Sequence, residues 1–272
     1  MNADRLRITV LGCGSSTGVP RVGNIWGNCD PDNPKNRRLR SSLLVEKLGS
    51  DGITRVLIDT GPDLRAQLLS ANIQHLDGVL YTHGHADHMH GIDDLRGLFI
   101  LNRRRVPIYC DAPTLARIRE GFEYCIDAPE GGFYPPILEH RLITAEQRFE
   151  VNGQGGPLAV WPVLHHHGPI DSLGFRFGSF LYSPDISAMP AASEWHFESV
   201  KTWMLDALRL TPHPSHYSLE ESLAAAESRS IAEVYLTHMH SDLDYETVNS
   251  DTPAHVQPCY DGLVIEIEYT HS

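Results

Sequence analysis

The residues with the clearest chemical potential lie in one short motif, His-Gly-His-Ala-Asp-His at positions 83–88. The motif places three imidazoles and one carboxylate within six residues. Imidazole and carboxylate donors without a thiolate suit zinc, manganese or iron. One HxH pair would indicate little in a chain with 16 histidines, but the complete HxHxDH pattern favours a metal site.

The segments on either side of this motif predict how it is held. The apolar residues 76–82 before it are typical of a buried strand. After it, Ile92, Leu95 and Phe99 fall on one face of a predicted helix over 91–99. The motif is therefore expected on a tight loop between a strand and a helix. Asp59, at the end of another predicted strand, could orient a metal-bound histidine from behind, or could merely form a turn.

Further candidate ligands follow predicted strands later in the chain. Two metal ions with three protein ligands each and one bridging carboxylate need seven groups, and distant strand ends can complete the first motif. The seven candidates are His83, His85, Asp87, His88, His167, Asp185 and His238.

Two segments near the start of the chain contain candidate phosphate-binding groups. Residues 12–18 form a Gly/Ser/Thr loop after a predicted strand, and its backbone N–H groups could bind an anion or form a plain turn. Residues 36–42 hold a basic cluster that could lie near a phosphate or form a solvated charged surface. The candidate substrate-binding residues from these segments are Ser15, Ser16, Arg37, Arg38 and Arg40.

The remaining pattern predicts two β-sheets packed together with helices outside and the site where strand ends meet. Strands are predicted over 6–11, 42–47, 55–60, 76–82, 106–110, 158–164, 173–182, 202–205, 231–236 and 262–269. Helices are predicted over 63–71, 91–99, 113–126 and 218–229, the last with a capping box from Ser218 and Glu221. Residues 127–157 are rich in Gly and Pro and receive no assignment, although they could cover the site.

Composition narrows the class of protein. The 272 residues, 41% of them hydrophobic, suffice for one large domain or two small ones. A net charge of −13 argues against a general nucleic-acid or membrane-surface binder. Five scattered cysteines without a CxxC motif are typical of reduced cytosolic thiols. No signal peptide or membrane-spanning run is visible, so a cytoplasmic protein is expected.

The ordered ligand set resembles the metallo-β-lactamase superfamily, and the resemblance covers nearly the whole chain. It implies an α/β fold, the αββα sandwich of two mixed β-sheets with helices on the outer faces, in a single domain over 1–272. It also implies two divalent metal ions, zinc or manganese. His83, His85 and His167 would hold one ion, Asp87, His88 and His238 the other, and Asp185 would bridge them. His167 is preferred to His165 and His166 because it stands seven residues before Gly174, as in relatives with HGxxxxLG.

Finer detail is similar to the PhnP-like phosphodiesterases, which open cyclic phosphates of ribose. The similar stretches are residues 11–14, 38–42, 57–61, 213–219 and 236–238. In that subfamily a histidine just before a Leu-containing helix start lies near the leaving group. The corresponding residue here is His216, just before the helix predicted over 218–229. His213 beside it is a candidate substrate contact. The subfamily's structural zinc is not expected, because its Cys-rich loop retains only Cys29 and its histidine is replaced by Ser241.

The resemblance implies a phosphodiesterase acting on cyclic ribose or nucleotide phosphates. A hydroxide held between two metals, with Asp87 among their ligands, would attack phosphorus, and His216 would protonate the leaving oxygen. A small phosphodiester or nucleotide is the expected partner, without extended nucleic acid or membrane, and a homodimer is possible by analogy. Three alternatives stay open: a tRNase Z-like RNA 3′ endonuclease, a glyoxalase II-like thioester hydrolase, and a non-catalytic metal-binding accessory protein.

Overall fold

Two β-sheets of seven strands each form the centre of the computed structural model, which describes residues 4–128 and 133–270. In spatial order the first sheet contains β14 (Val264–Glu268), β1 (Arg5–Gly12), β2 (Ser42–Gly49), β3 (Gly52–Ile58), β4 (Gly78–Leu80), β5 (Val106–Cys110) and β6 (Leu138–Leu142). The second contains β13 (Val256–Pro258), β12 (Glu233–Thr237), β11 (Thr202–Asp206), β10 (Phe180–Ser183), β9 (Ile170–Phe177), β8 (Leu158–His167) and β7 (Phe149–Val151).

Helices cover the sheets. The α-helices are α1 (Leu64–Ser70), α2 (Ala86–Met89), α3 (Arg96–Asn102), α4 (Ala112–Ile126), α5 (Leu219–Ser228) and α6 (Tyr245–Asp251). The 3-10 helices are Pro34–Asn36, Ile92–Leu95 and Ala191–Glu198. Helix α4 packs on β6, whereas α5 contacts β11 and α6 contacts β13. This arrangement confirms the predicted αββα sandwich. Among the described helices, none is long and apolar enough to cross a membrane.

Two apolar cores explain why the strands are apolar on both faces. In β2, Leu43 and Val45 point into the core between the sheets, which also contains Phe175 of the second sheet. Leu44, between them in sequence, points into the core shared by the first sheet and its covering helices. Successive side chains of a strand alternate in direction, so a strand buried on both faces reads as a continuous apolar run.

The parallel strands bring the functional side chains to one edge of the sandwich. Strands β10, β11 and β12 are parallel neighbours, as are β3 and β4. Within each sheet the carboxyl ends of these strands therefore lie at one edge, and the 3.0 Å contact between His88 Nε2 and Asp185 Oδ2 brings the two edges together. Asp59 follows β3, Asp185 follows β10, Asp206 ends β11 and His238 follows β12.

Several predicted elements need correction. The single strand predicted over 173–182 is wrong, because Gly178 turns the chain at φ +58° and separates β9 from β10. Phe177 and Phe180 are both buried on either side of this turn, so the apolar pattern continues through it. The helix predicted over 91–99 begins as a 3-10 helix and continues as α3 to Asn102.

The chain also contains elements that the sequence pattern did not assign. Strands β6 and β7 fall within residues 127–157, of which 129–132 lie outside the described residues. Helices α2 and α6 and strand β13 also received no prediction.

Candidate metal centre

The HxHxDH motif lies in a tightly anchored turn. Thr60 N–H donates to the His88 carbonyl at 2.7 Å, and Gly91 N–H donates to the Thr60 carbonyl at 2.7 Å. A Cβ at Gly61 would overlap the Asp87 carbonyl oxygen, so only glycine lets the two backbones approach this closely. The motif is therefore held at both ends, with His88 fully buried and His85 exposed.

Two groups of donor atoms converge at this turn. His83 Nε2 lies 2.8 Å from His85 Nδ1, and His167 Nε2 lies 3.3 Å from the same atom. The second group consists of Asp87, His88 and His238, and the donor atoms within each group lie within 4.8 Å of one another. Nitrogen ligands at about 2.1 Å from a tetrahedral ion are about 3.4 Å apart. The two groups thus have the spacing of two three-ligand metal sites.

Asp185 lies between the two groups. Its Oδ2 is 3.0 Å from His88 Nε2, and its Oδ1 is 3.7 Å from His167 Nε2. His88 Nε2 and Asp185 Oδ2 are buried without hydrogen-bond geometry to a described partner. One carboxylate that faces a ligand of each group can bridge two ions.

The surrounding chain anchors the Nδ1 atoms of four of these histidines. His88 Nδ1 lies 2.7 Å from Asp59 Oδ2, and Asp59 also accepts from Thr82 N–H at 2.9 Å. The other anchors are the Ser41 hydroxyl for His238, the Ser215 carbonyl for His167 and the Thr82 hydroxyl for His83. Such contacts orient metal ligands and fix their tautomers. The placement of Asp59 is the one anticipated for a residue supporting the metal ligands.

The electrostatics favour a bound cation. Burial lowers the pKa of His83 and His167, and lowers that of His238 to about 4, so these imidazoles stay neutral and able to donate electron pairs. Burial also acts to lower the pKa of His88, but Asp185, Asp87 and Asp59 outweigh it and raise that pKa well above its usual value. Three carboxylates therefore stabilise positive charge at this point. The donor set and its charge fit divalent ions.

His216 lies against the cluster and is held by a buried carboxylate. Its Nδ1 is 2.7 Å from Asp206 Oδ2, and its ring centroid is 4.6 Å from that of His167 and 5.0 Å from that of His238. Burial acts to lower the pKa of His216, but the Asp206 carboxylate outweighs it and raises the pKa to about 9. The sequence identified the strand that ends at Asp206 but assigned this residue no role. Its position at a strand end, like that of Asp185, was the available signal.

The other histidines near the motifs lie outside the cluster. His90 is exposed, with its ring 5.9 Å from that of Phe122. His166 is exposed and pairs with Asp171, while His165 is buried with Nε2 3.2 Å from the Ser183 hydroxyl. Among the three consecutive histidines, the chain therefore brings only His167 to the donor groups.

The predicted substrate-binding residues divide into two sets. Ser16 and Arg40 line a cavity beside Asp87, and the His213 ring lies 5.2 Å from that of His216. Arg37 is exposed with its guanidinium 5.1 Å from the Trp26 ring centroid, and it does not line this cavity.

Two of these residues already use donor groups within the protein. The Ser15 N–H donates to the Met239 carbonyl at 3.2 Å, while its buried hydroxyl has no hydrogen-bond partner among the described residues. Arg38 is 1% exposed, and its guanidinium donates to the Leu243 carbonyl at 2.7 Å. It also contacts the Asn36 side chain and the His240 carbonyl, so it links residues 36–38 to residues 240–243 behind the site.

The two segments that carry Cys29 and Ser241, at the positions of the subfamily's structural zinc, contact each other. Asn28 N–H donates to the Ser241 carbonyl at 2.8 Å. Cys29 is buried beside Arg38, and its Sγ lies 3.5 Å from the Leu243 carbonyl.

Comparison with known proteins identifies the family. Residues 54–239 match the beta-lactamase superfamily domain, so the chain belongs to this superfamily. A solved structure, a diphosphatase from the PhnP family, is 37% identical with a TM-score of 0.84, covering 97% of this chain and 98% of its own. The chain is thus similar over nearly its whole length to a member of the PhnP family.

Two curated relatives are also similar. An octanoyltransferase of Porphyromonas gingivalis is 33% identical over 95% of this chain and 51% of its own length. A ribonuclease Z of Bradyrhizobium diazoefficiens is 31% identical over 54% of this chain and 46% of its own length. The chain spans about half the length of these two relatives or less.

Proposed function

We propose that this protein hydrolyses phosphodiester bonds, opening cyclic ribose or nucleotide phosphates, with His216 as general acid. The observation that supports this most strongly is the His216–Asp206 pair beside two converging donor groups. A leaving sugar oxygen needs a proton, and a histidine with a raised pKa supplies one at neutral pH.

The proposal assigns a metal ion to each donor group, with Asp185 between them. Bound zinc or manganese would neutralise charge on the phosphoryl oxygens and provide activated water as the nucleophile. The chain's own residues orient the ligand histidines: Asp59 contacts His88, Ser41 contacts His238 and Ser215 contacts His167.

The proton step needs only His216 and its support. Asp206 accepts a hydrogen bond from Nδ1 and leaves Nε2 as the nitrogen that can release a proton. When the phosphorus–oxygen bond breaks, that proton passes to the leaving oxygen, and a ring-opened phosphomonoester results. The buried Asp206 stabilises the imidazolium before this step.

Two other bonds are second candidates because of specific relatives. The 37% identical solved structure is a diphosphatase, which favours a phosphoric anhydride. The 33% identical relative carries the name of an octanoyl-transferring protein, which favours an acyl ester or thioester. An acyl thioester releases a stable thiolate, so its cleavage would not depend on His216.

The test is a substrate panel with matched variants. Protein loaded separately with manganese and zinc is assayed on a 2′,3′-cyclic nucleotide, a cyclic ribose phosphate, a dinucleotide with a diphosphate bridge and an octanoyl thioester. We expect cyclic phosphate cleavage to fall about 100-fold or more in His216→Ala, the scale of a lost general acid. His90→Gln, which lies outside the cluster, is the control and should retain activity.

Each other outcome has a definite meaning. Thioester cleavage that is indifferent to His216→Ala would contradict the proposal and favour acyl hydrolysis. Cleavage of precursor transfer RNA in preference to all small substrates would favour the ribonuclease Z alternative. Metal binding without turnover on any substrate would favour a non-catalytic accessory role. The cytoplasmic location, the single domain and the homodimer stay predictions.

A further inference from the structure

The loop after β1 joins two segments that are distant in the sequence. Met239 N–H donates to the Cys13 carbonyl at 2.8 Å, and Met239 directly follows the ligand candidate His238. Gly14 N–H donates to the Leu39 carbonyl, also at 2.8 Å. The loop therefore fixes how closely the segment before β2 approaches His238.

The Ser41 hydroxyl connects this loop to His238. Its Oγ lies 3.1 Å from the Gly14 carbonyl oxygen and 3.0 Å from His238 Nδ1, and all three residues are buried. A hydroxyl has one hydrogen, and a carbonyl oxygen can only accept. Both contacts are hydrogen bonds only when Ser41 donates to Gly14 and His238 Nδ1–H donates to Ser41.

This arrangement fixes the tautomer of His238. A neutral imidazole carries one proton, so a proton held at Nδ1 leaves Nε2 with the electron pair that a metal ion needs. Asp185 Oδ2 lies 3.6 Å from the same Nδ1, which is beyond hydrogen-bond distance, so Ser41 is the nearer partner. The Ser41 hydroxyl therefore selects the form of His238 that can bind a metal ion through Nε2.

Asp261 holds the loop and the segment before β2 at the same time. Its Oδ1 accepts from Cys13 N–H at 3.1 Å, and its Oδ2 accepts from Leu39 N–H at 2.7 Å. Cys13 precedes Gly14, and Leu39 lies two residues before Ser41. One carboxylate thus keeps both partners of the hydrogen bond between Ser41 and Gly14 in place.

The first donor group is anchored elsewhere in the chain. Thr82 contacts His83, and Ser215 contacts His167. Neither anchor belongs to the loop after β1 or to the segment before β2. The contacts that end at His238 should therefore affect only the second donor group.

We propose that Asp261 is a positioning residue for the second donor group. Through the loop after β1 and Ser41 it holds the Nδ1–H tautomer of His238, and it thereby sets the affinity of this group for a metal ion independently of the first group. The inference rests on the proposed assignment of one ion to each donor group. No sequence motif identified Asp261, which lies in the turn between β13 and β14.

Zinc titration of the metal-free protein by calorimetry measures the affinity of each group. The binding step that is missing in His238→Gln belongs to the second group. We expect Ser41→Ala to weaken that step about 10- to 100-fold, the usual effect of removing the partner of a ligand histidine. Asp261→Asn keeps one acceptor but opposes the other N–H with its amide. It should weaken the same step about 5-fold or more, the scale of one lost hydrogen bond, and the first step should stay unchanged in both variants.

Asp77→Asn is the matched control. Asp77 is also a buried carboxylate that accepts from a backbone N–H, that of Arg55 at 2.8 Å, but it lies just before β4, at the end of that strand opposite to the metal-ligand turn. Both binding steps should match the wild type in this variant. Equal weakening of both steps in Asp261→Asn, or a loss in Asp77→Asn as large as that in Asp261→Asn, would reduce Asp261 to a general support of the fold and overturn the inference.

Nitrogen-15 NMR of the histidine rings in the metal-free protein reads the tautomer without any assay of activity. The signals of His238 are those missing in His238→Gln. The wild type and Asp77→Asn should show the proton at Nδ1, whereas Ser41→Ala and Asp261→Asn should show a mixture of the two tautomers. A proton at Nε2 in the wild type, or a tautomer that Asp261→Asn does not change, overturns the inference. Binding of a single zinc ion by the wild type would contradict the assignment of one ion to each group, and the tautomer would still decide the role of Asp261.

Discussion

Replacing Asp206 by asparagine tests whether His216 acts as a supported acid. Asp206 is fully buried, and its Oδ2 lies 2.7 Å from His216 Nδ1 and 3.2 Å from Ile186 N. Asparagine keeps the size of the side chain and an acceptor for Ile186, but it removes the charge. A hydrogen bond to a charged group contributes about 1.5–3 kcal/mol, which corresponds to a loss of about 10- to 100-fold in rate.

The choice of leaving group separates this role from a structural one. With a 2′,3′-cyclic nucleotide, the departing sugar oxygen needs a proton, so Asp206→Asn should lower kcat by the full amount. With bis(p-nitrophenyl) phosphate, the departing phenolate is stable without a proton, so the same variant should lose less than about 3-fold. His216→Ala should show the same contrast with a larger loss. Steady-state kinetics on both substrates provide the measurement.

The pH profile gives a second readout. Because Asp206 raises the pKa of His216 to about 9, the variant should lose its protonated histidine at lower pH than the wild type does. Its activity on the cyclic nucleotide should therefore decline earlier on the alkaline side. Equal losses on both substrates, with an unchanged profile, would refute the assignment of His216 as acid and reduce Asp206 to a structural residue.

Three further predictions concern the supports of the fold and the site. Asp59→Asn should weaken metal binding about 10- to 100-fold, as expected when the carboxylate behind a ligand histidine is lost, and metal titration by calorimetry checks this; unchanged affinity would contradict it. Arg38→Met should lower the free energy of unfolding by about 3–5 kcal/mol because several buried acceptors lose their donor, and urea unfolding measures the loss; a change below about 1 kcal/mol would show that the site relaxes. Burial lowers the pKa of His196, which accepts from Arg176 and lies 2.8 Å from Glu146, so its neutral form is the one the fold binds. As pH falls below about 6.5, the histidine takes up a proton in the unfolded chain but not in the folded one. The free energy of unfolding therefore decreases by up to about 1.4 kcal/mol per pH unit. His196→Gln should flatten this decrease in unfolding experiments from pH 7 to 5.

The ligand residues were recognisable in the sequence because their spacing reflects local constraints. A turn between β4 and α2 needs no distant information to place His83, His85, Asp87 and His88 close together. The single-strand prediction over 173–182 failed for the opposite reason. Gly178 reverses the chain between two buried phenylalanines, and alternation alone does not record a reversal.

Substrate contacts were less predictable than ligands. Arg38 and Arg40 are two residues apart in one basic segment. Arg38 is buried and hydrogen-bonded within the fold, whereas Arg40 lines a cavity. Their charge is the same, and only the packing of residues 240–243 against Arg38 distinguishes them.

By itself, the sequence predicted two packed sheets with helices outside, the HxHxDH turn and the strand ends that carry the remaining ligand candidates, because apolar periodicity and short turns are local properties. The αββα sandwich in particular was implied by the family resemblance. The tertiary structure decided which distant groups meet, such as Asp59 behind His88 and Asp206 behind His216. Such pairings depend on the register and packing of whole sheets. A side chain's role in a site is set by neighbours that lie far away along the chain.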